Sequence, residues 1–90
     1  ATPAFKVGEH PDVIGGQSVP DKLWGFTPFT YPFNMCGNPA ATAPAGFSSD
    51  GLPIGLHIVG RWGDEETVLA ASKAFEDARP WADKRPAGFE

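Results

Sequence analysis

This 90-residue sequence has one cysteine, no cluster of basic residues and no long apolar run. A single cysteine, Cys36, excludes an intramolecular disulfide and favours a reducing, cytoplasmic setting. The basic residues are scattered, and their longest run is Lys84–Arg85, so the basic face that nucleic acid requires is not expected. No apolar run approaches the ~20 residues that span a membrane, and no charged segment precedes an apolar one as in a signal peptide.

Spacings typical of metal and phosphate sites are also missing. His10, Cys36, His57 and Asp64 show no ligand pattern such as C-x2-C or H-x3-H. The glycine-rich segments match neither G-x-x-x-x-G-K-[ST] nor G-x-G-x-x-G. The sequence therefore predicts no metal and no cofactor.

The composition is that of a small folded unit with much irregular backbone. Hydrophobic residues make up 41% of the chain and the net charge is -4, which is not typical of disorder. A chain of this length allows one domain at most. The 11 glycines and 10 prolines indicate many turns.

Residues 1–33 form an aromatic loop region in which proline or glycine recurs every few residues. That spacing excludes a long helix or strand, because proline fixes φ and removes a donor. The region is nevertheless too apolar for a free linker. Two interpretations remain open: aromatic side chains pin the loop to a body, or the loop walls a pocket.

Residues 34–81 predict a strand-strand-helix unit, and residues 82–90 a polar tail. Residues 34–39 form a turn, and strands at about 40–46 and 53–60 form a hairpin, with Pro44 marking a strand end or a bulge. The apolar run in the second strand indicates cover on both faces. A helix over about 64–78 begins at Asp64 and ends before Pro80, after which Trp81 folds back onto the body.

One face of this helix is predicted to pack inward and the other to contact water. The inward face has apolar or small residues at spacings of three and four. Its members are Val68, Leu69, Ser72 and Phe75, widened by Ala71, Ala74 and Ala78. The charged residues predicted to face water are Glu66, Lys73, Glu76 and Asp77.

Several spaced motifs between about residues 27 and 86 occur in the order found in one enzyme family. They are Tyr31-Pro32-Phe33-Asn34, Gly37-Asn38-Pro39-Ala40, Pro44-Ala45-Gly46, Gly51-Leu52-Pro53-Ile54-Gly55-Leu56, Ile58-Val59-Gly60, Asp64-Glu65, Leu69, Phe75-Glu76 and Pro80-Trp81. The sequence thus resembles the C-terminal part of the amidase signature family. Where that family often has Gln in the second strand, this sequence has His57, most simply a hydrogen-bonded substitute or else a source of pH sensitivity.

The resemblance implies an α/β/α sandwich in a domain several times longer than this chain. It implies hydrolysis of carboxamide C–N bonds by a serine nucleophile, assisted by a second serine and a lysine upstream of the matching part. The four serines here are Ser18, Ser48, Ser49 and Ser72, and none has the Gly/Ser-rich surroundings of that motif. No catalytic residue is therefore assigned, and the segment alone is expected to be inactive.

The turn containing Cys36, Gly37 and Asn38 is the candidate substrate-binding site. In the family this region lies toward the active-site side of the sheet, and an asparagine amide can both donate and accept. The alternative is that the asparagines only satisfy backbone groups of the turn. A Cys36–His57 nucleophile and base pair is a further, much less favoured hypothesis, because it requires the two side chains to meet.

Two functions remain open at this point. The first is the C-terminal segment of a cytoplasmic serine amidase acting on a small amide, which supplies sheet, helix and part of the substrate wall. The second is a non-catalytic domain that binds a small molecule or a partner chain. In either case the strands lack neighbours, so the isolated chain is expected to self-associate or to exchange elements.

Overall fold

The computed structural model describes residues 2–89. The elements in chain order are β1 (Val13–Ile14), β2 (Gln17–Ser18), α1 (Tyr31–Cys36), β3 (Ala40–Phe47), β4 (Pro53–Val59) and α2 (Glu65–Ala78). In the described residues the strands form two separate antiparallel pairs, β1 with β2 and β3 with β4. The mixed α/β class predicted from the sequence is confirmed, and the larger sandwich stays a prediction.

The region before β3 is more regular than the sequence predicted. Gly15 and Gly16, with φ of 55° and 79°, close the two-residue strands β1 and β2 in a tight turn, since such hairpins require positive φ at both central positions. The turn expected at residues 34–39 is wrong for its first half, because Asn34 to Cys36 belong to α1. Pro32 near the start of α1 favours this helix, as its fixed φ suits the first turn.

Strands β3 and β4 form the predicted hairpin. Cross-strand partners run from Ala40 with Val59 to Phe47 with Pro53, and the register shifts between Pro44 and Gly46. That shift is the bulge predicted from Pro44. The observed strand bounds lie within one residue of those expected.

Helix α2 begins and ends as predicted. The carboxylate of Asp64 accepts a hydrogen bond from the Thr67 amide at 3.2 Å, and two glutamates follow in the first turn. The helix ends at Ala78, two residues before Pro80. Trp81 then lies beside the turn end of the hairpin, where it lines a concave surface together with Phe47 and Pro53.

Helix α2 covers one face of the hairpin, and only a narrow stripe becomes buried. Val68 is 4% exposed and Ala43, on β3, is 6% exposed; these are the buried hydrophobic residues of the described chain. The predicted inward face is wrong for Leu69, which is 67% exposed, because two strands are too narrow to reach it. It is also wrong for Ala71, Ala74 and Ala78, which are exposed. Glu76 is half-buried rather than in water.

The expectation that both faces of β4 are covered is also wrong. Ile54 and Leu56 remain exposed, at 41% and 37%. The chain exposes 7074 Å², whereas a folded monomer of 9.5 kDa is expected to expose about 5,000 Å². Its radius of gyration is 15.2 Å, against about 12 Å for a compact domain of this length. These residues therefore carry a large surface that this fold does not bury.

Candidate functional site

The candidate site is built on the C-terminal end of α1. The backbone amide of Asn38 donates to the Phe33 carbonyl at 3.1 Å, and the backbone amide of Gly37 donates to the Asn34 carbonyl at 3.3 Å. This pair of bonds is a Schellman motif, which requires a left-handed residue after the helix. Gly37 supplies it with φ of 74° and ψ of 23°. The helix end is thus fixed by backbone bonds, and the chain turns sharply toward β3.

Asn38 ties this turn to the end of β4. Its side-chain amide donates to the Gly60 carbonyl at 3.0 Å across 22 positions of sequence, and the bond is partly buried. The Gly60 amide in turn donates to the Pro39 carbonyl at 2.9 Å. The two bonds hold the Gly37–Pro39 segment against the sheet, so its backbone has one defined position.

Cys36 and His57 do not form the nucleophile and base pair considered above. The Cys36 thiol is exposed at the end of α1. The His57 ring instead packs edge-on against Phe33, with ring centroids 5.8 Å apart. Within residues 2–89 no hydrogen bond joins the thiol to the imidazole.

The four serines are likewise far from a catalytic arrangement. Ser72 donates to the Val68 carbonyl at 2.7 Å within α2, and Ser49 donates to the Asp50 carboxylate at 2.8 Å. Ser48 accepts the Leu52 amide in the β3–β4 turn. In the part of the chain that the structure describes, no serine is bonded to a lysine and no group of three metal-ligating side chains occurs. The same residues contain no helix long and apolar enough to cross a membrane.

A groove of about 720 Å³ runs along α1 beside the candidate turn. Its lining combines an acid, two aromatic rings, two threonines, an amide and a thioether, from Asp21, Trp24, Tyr31, Thr27, Thr30, Asn34 and Met35. Trp24 and Tyr31 meet edge to face with ring centroids 5.6 Å apart. This groove supports the interpretation that the aromatic loop walls a pocket.

The polar groups of the groove are not equally available. The Asp21 carboxylate accepts hydrogen bonds from the backbone amides of Leu23 and Trp24 at 2.9 and 3.2 Å, so it stabilises the turn of its own loop. The Thr30 hydroxyl donates to the Thr27 carbonyl at 3.2 Å. Asn34, one turn before Asn38 along the chain, is exposed and lines the groove.

The sequence prediction singled out Cys36, Gly37 and Asn38 but missed the groove residues Trp24 and Tyr31. The structure places Cys36 as the last residue of α1 and Gly37 and Asn38 in the turn directly after it, with Gly37 close to the ring of Trp62. A signal for the groove was present in the aromatic residues of the proline-rich loop. That signal does not specify which rings meet, because the loop path has no periodicity.

Comparison with known proteins identifies the family. The family model described as Amidase matches residues 1–69. This chain therefore belongs to the amidase family, which confirms the resemblance drawn from the motifs.

Relatives cover most of this chain but only a small part of their own length. An acylamidase of Rhodococcus erythropolis is 48% identical over 77 residues, covering 86% of this chain and 16% of that protein. A glutamyl-tRNA(Gln) amidotransferase subunit of Geobacter metallireducens is 46% identical over 80 residues, covering 89% and 15%. A 6-aminohexanoate-cyclic-dimer hydrolase of Paenarthrobacter ureafaciens is 48% identical over 58 residues, covering 64% and 12%.

The chain thus spans about one sixth of the length of the first of these relatives. No solved structure matches it significantly.

Proposed function

We propose that these residues are the C-terminal part of an amidase that hydrolyses a carboxamide C–N bond through a serine outside residues 1–90. The serine hydroxyl attacks the amide carbonyl, its proton passes to the leaving nitrogen, and ammonia or an amine departs. Water then hydrolyses the acyl-enzyme and releases the acid. The segment contributes two strands, a covering helix and part of the substrate wall.

This proposal rests on the observation that the chain belongs to the amidase family although its described residues contain no serine triad. The large unburied surface agrees with a unit that completes its fold against other parts of a longer domain. We divide the segment into the aromatic loop region 1–33, the strand-strand-helix unit 34–81 and the tail 82–90. We place the enzyme in the cytoplasm, because a single cysteine allows no intramolecular disulfide and suits a reducing compartment.

Within that enzyme, the turn formed by Cys36, Gly37 and Asn38 lines the substrate cleft. Its position is defined by backbone and side-chain bonds, and a rigid backbone is what a reaction needs to orient a carbonyl. The adjoining groove accepts the apolar part of the amide, since Trp24 and Tyr31 offer ring surface beside the amide group of Asn34. The preferred substrate is therefore a small amide with an apolar substituent.

The test uses the longer protein that carries these residues and two amides, acetamide and a longer aliphatic or aryl amide. Trp24→Ala is expected to raise KM for the larger amide roughly tenfold, equivalent to about 1.4 kcal/mol of lost binding, and to leave acetamide unchanged. Val7→Ala is the matched control, because Val7 is fully exposed and lies outside the groove. An equal effect on both amides would contradict the groove assignment, and a protein that hydrolyses neither amide would favour the non-catalytic binding domain.

The isolated 90-residue chain is proposed to release no ammonia and to associate with itself or exchange elements, because its sheet has free edges. Intact mass spectrometry establishes that the sample contains only the 9.5 kDa species, and an ammonia assay on the same sample tests inactivity. Ammonia release by that species alone would overturn the assignment of the nucleophile.

A further inference from the structure

The groove beside α1 carries a negative charge that its own lining does not neutralise. We infer that the amide substrate has an ammonium group at the far end of its apolar part, and that this cation binds between the Asp21 carboxylate and the rings of Trp24 and Tyr31. The cation site rests on the proposed function, in which the groove holds the apolar part of the amide. It narrows the substrate class to amides that carry an amine.

The Asp21 carboxylate has one oxygen engaged and one available. The backbone amides of Leu23 and Trp24 both donate to Oδ1, at 2.9 and 3.2 Å. Among residues 2–89 no ion pair involves Asp21 and no hydrogen bond reaches its Oδ2. An ionised carboxylate has about four acceptor positions, so two bonds to one oxygen leave the other able to bind a donor.

No basic side chain of the groove compensates this charge. The lining residues include no Lys, Arg or His. The neighbouring Lys22 forms an ion pair with Asp12, with Nζ and Oδ1 2.7 Å apart. An ammonium group of the substrate therefore meets an acid that has no competing cation in this loop. A purely apolar substituent would remove water from the carboxylate and return no hydrogen bond, which is unfavourable.

The backbone holds the two rings beside this carboxylate. Besides the amide bond to Asp21, the Trp24 carbonyl accepts from the Thr27 amide at 3.0 Å, and the Thr30 amide donates to the Thr27 carbonyl at 3.2 Å directly before α1. Trp24 and Tyr31 then meet edge to face, so one of the two rings keeps both faces clear of the other. A ring face attracts an ammonium within about 6 Å of its centroid, and Trp is the strongest such partner.

The remaining polar groups of the groove do not favour another class of ligand. The hydroxyls of Thr27 and Thr30 donate to backbone carbonyls at 3.1 and 3.2 Å. The Asn34 side chain carries an oxygen that can accept from an ammonium. A carboxylate or phosphate would be repelled by Asp21 with no cation of the lining to offset the repulsion. An apolar substituent that ends in an amine is therefore the ligand that matches the groove.

The test compares amides that differ in charge alone, using the longer protein that carries these residues. Each ω-aminoalkanamide with four to six methylene groups is paired with the alkanamide in which a methyl group replaces the ammonium. In the best-fitting pair the amine is expected to have a KM about tenfold lower than its neutral partner, on the order of what a cation–π contact and a partly shielded ion pair supply together. The ratio is expected to fall severalfold in about 0.5 M NaCl, because salt screens the ion pair.

Substitution of the acid tests its part in this preference. Asp21→Asn removes the charge but keeps an oxygen that can accept the amides of Leu23 and Trp24. The KM ratio is expected to fall below about threefold, since only the rings then attract the cation. Asp50→Asn is the matched control, because it removes an equal charge from an exposed carboxylate in the β3–β4 turn, outside the groove, and should leave the ratio unchanged.

Binding measured without hydrolysis separates the cation site from the amidase assignment. The probes are 5-aminopentanol and hexanol, which match in size and contain no amide, with dissociation constants from saturation-transfer NMR. The amine is expected to bind about tenfold more tightly, and Asp21→Asn to remove most of that difference. The same preference in a protein that hydrolyses no amide would leave the cation site standing and refute the proposed function. Hydrolysis with equal KM for charged and neutral amides, or a preference that Asp21→Asn leaves intact, would overturn the cation site alone.

Discussion

The close packing of Gly60 against α2 gives the most demanding prediction about this fold. A Cβ atom built on Gly60 would lie 2.5 Å from Cγ2 of Val68, 3.1 Å from the Asp64 carbonyl oxygen and 3.4 Å from Cγ of Pro39. The first of these distances is far inside van der Waals contact, so the helix and strand must separate to admit a methyl group. Gly60→Ala is expected to destabilise the fold by about 1–3 kcal/mol, the usual cost of overpacking.

Removing the opposing side chain should create the space that the first substitution lacks. Val68 is 4% exposed, and Val68→Ala removes two methyl groups, at about 0.8 kcal/mol each plus a cavity cost, or about 2 kcal/mol in all. In the double variant the new methyl group enters the space that Val68 vacates. The combined loss is therefore expected to be smaller than the sum of the single losses by at least about 1 kcal/mol, which is typical of residues in direct contact.

The assay is urea unfolding followed by far-ultraviolet circular dichroism, with the free energy of unfolding extrapolated to water. All variants are measured at one protein concentration, because self-association makes apparent stability depend on concentration. The control cycle pairs Gly60→Ala with Leu69→Ala, since Leu69 is 67% exposed on the same helix and its effect should simply add. An additive Gly60–Val68 cycle, or one no different from the control, would refute the packing described here.

Three further predictions concern the turn and the helix surface. Asn38→Ala removes the bond to the Gly60 carbonyl and is expected to cost about 1–3 kcal/mol in the same urea assay; unchanged stability would mean that this bond contributes nothing. Gly37→Ala places a methyl group at a φ of 74° and is expected to lower the free energy of unfolding by about 1–2 kcal/mol. The local readout is faster hydrogen exchange of the Asn38 backbone amide, and unaltered exchange would contradict the left-handed cap. The hydrogen bond from Lys73 to Asp77 raises the pKa of Lys73 above its ordinary 10.5. The pair's small contribution to stability is therefore complete below that pH and is lost as the pH rises through the folded-state pKa. In Asp77→Asn the Lys73 pKa measured by NMR titration should move toward the ordinary value, and an unmoved midpoint would exclude the pair.

The elements that depend on local chemistry could be predicted from the sequence. Asp64 followed by two glutamates places the start of α2, and Pro80 places its end, because caps and proline act within one or two residues. Pro44 predicts the bulge in β3 for the same reason, since the missing donor acts at its own position.

The features that depend on neighbours could not be predicted in this way. The stripe on α2 was expected to include Leu69, but its burial depends on the width of the sheet, which periodicity does not reveal. Helix α1 was missed because its six residues lie in a proline-rich stretch and its stability depends on the Gly37 cap. A pocket walled by the loop was one of two interpretations, but its lining residues could not be named, because Trp24 and Tyr31 meet only once the loop has folded.

The candidate turn lies between these two cases. Its residues were identified by family motif, and the backbone role of Gly37 follows from residue chemistry. The bond from Asn38 to the Gly60 carbonyl joins positions 22 apart, and no local pattern indicates it. The structure thus adds a physical reason for an asparagine at this position, and its place in the substrate wall stays a proposal.

The most direct test of the central claim is to label the nucleophile of the longer protein that carries these residues. The protein is incubated with a serine-reactive fluorophosphonate, its ammonia release from a small amide is followed, and the labelled peptide is located by mass spectrometry. Label and loss of activity are expected to rise together, and the labelled serine is expected to lie outside residues 1–90. A label on Ser18, Ser48, Ser49 or Ser72 that abolishes ammonia release, or activity that resists complete labelling, would contradict an external serine nucleophile.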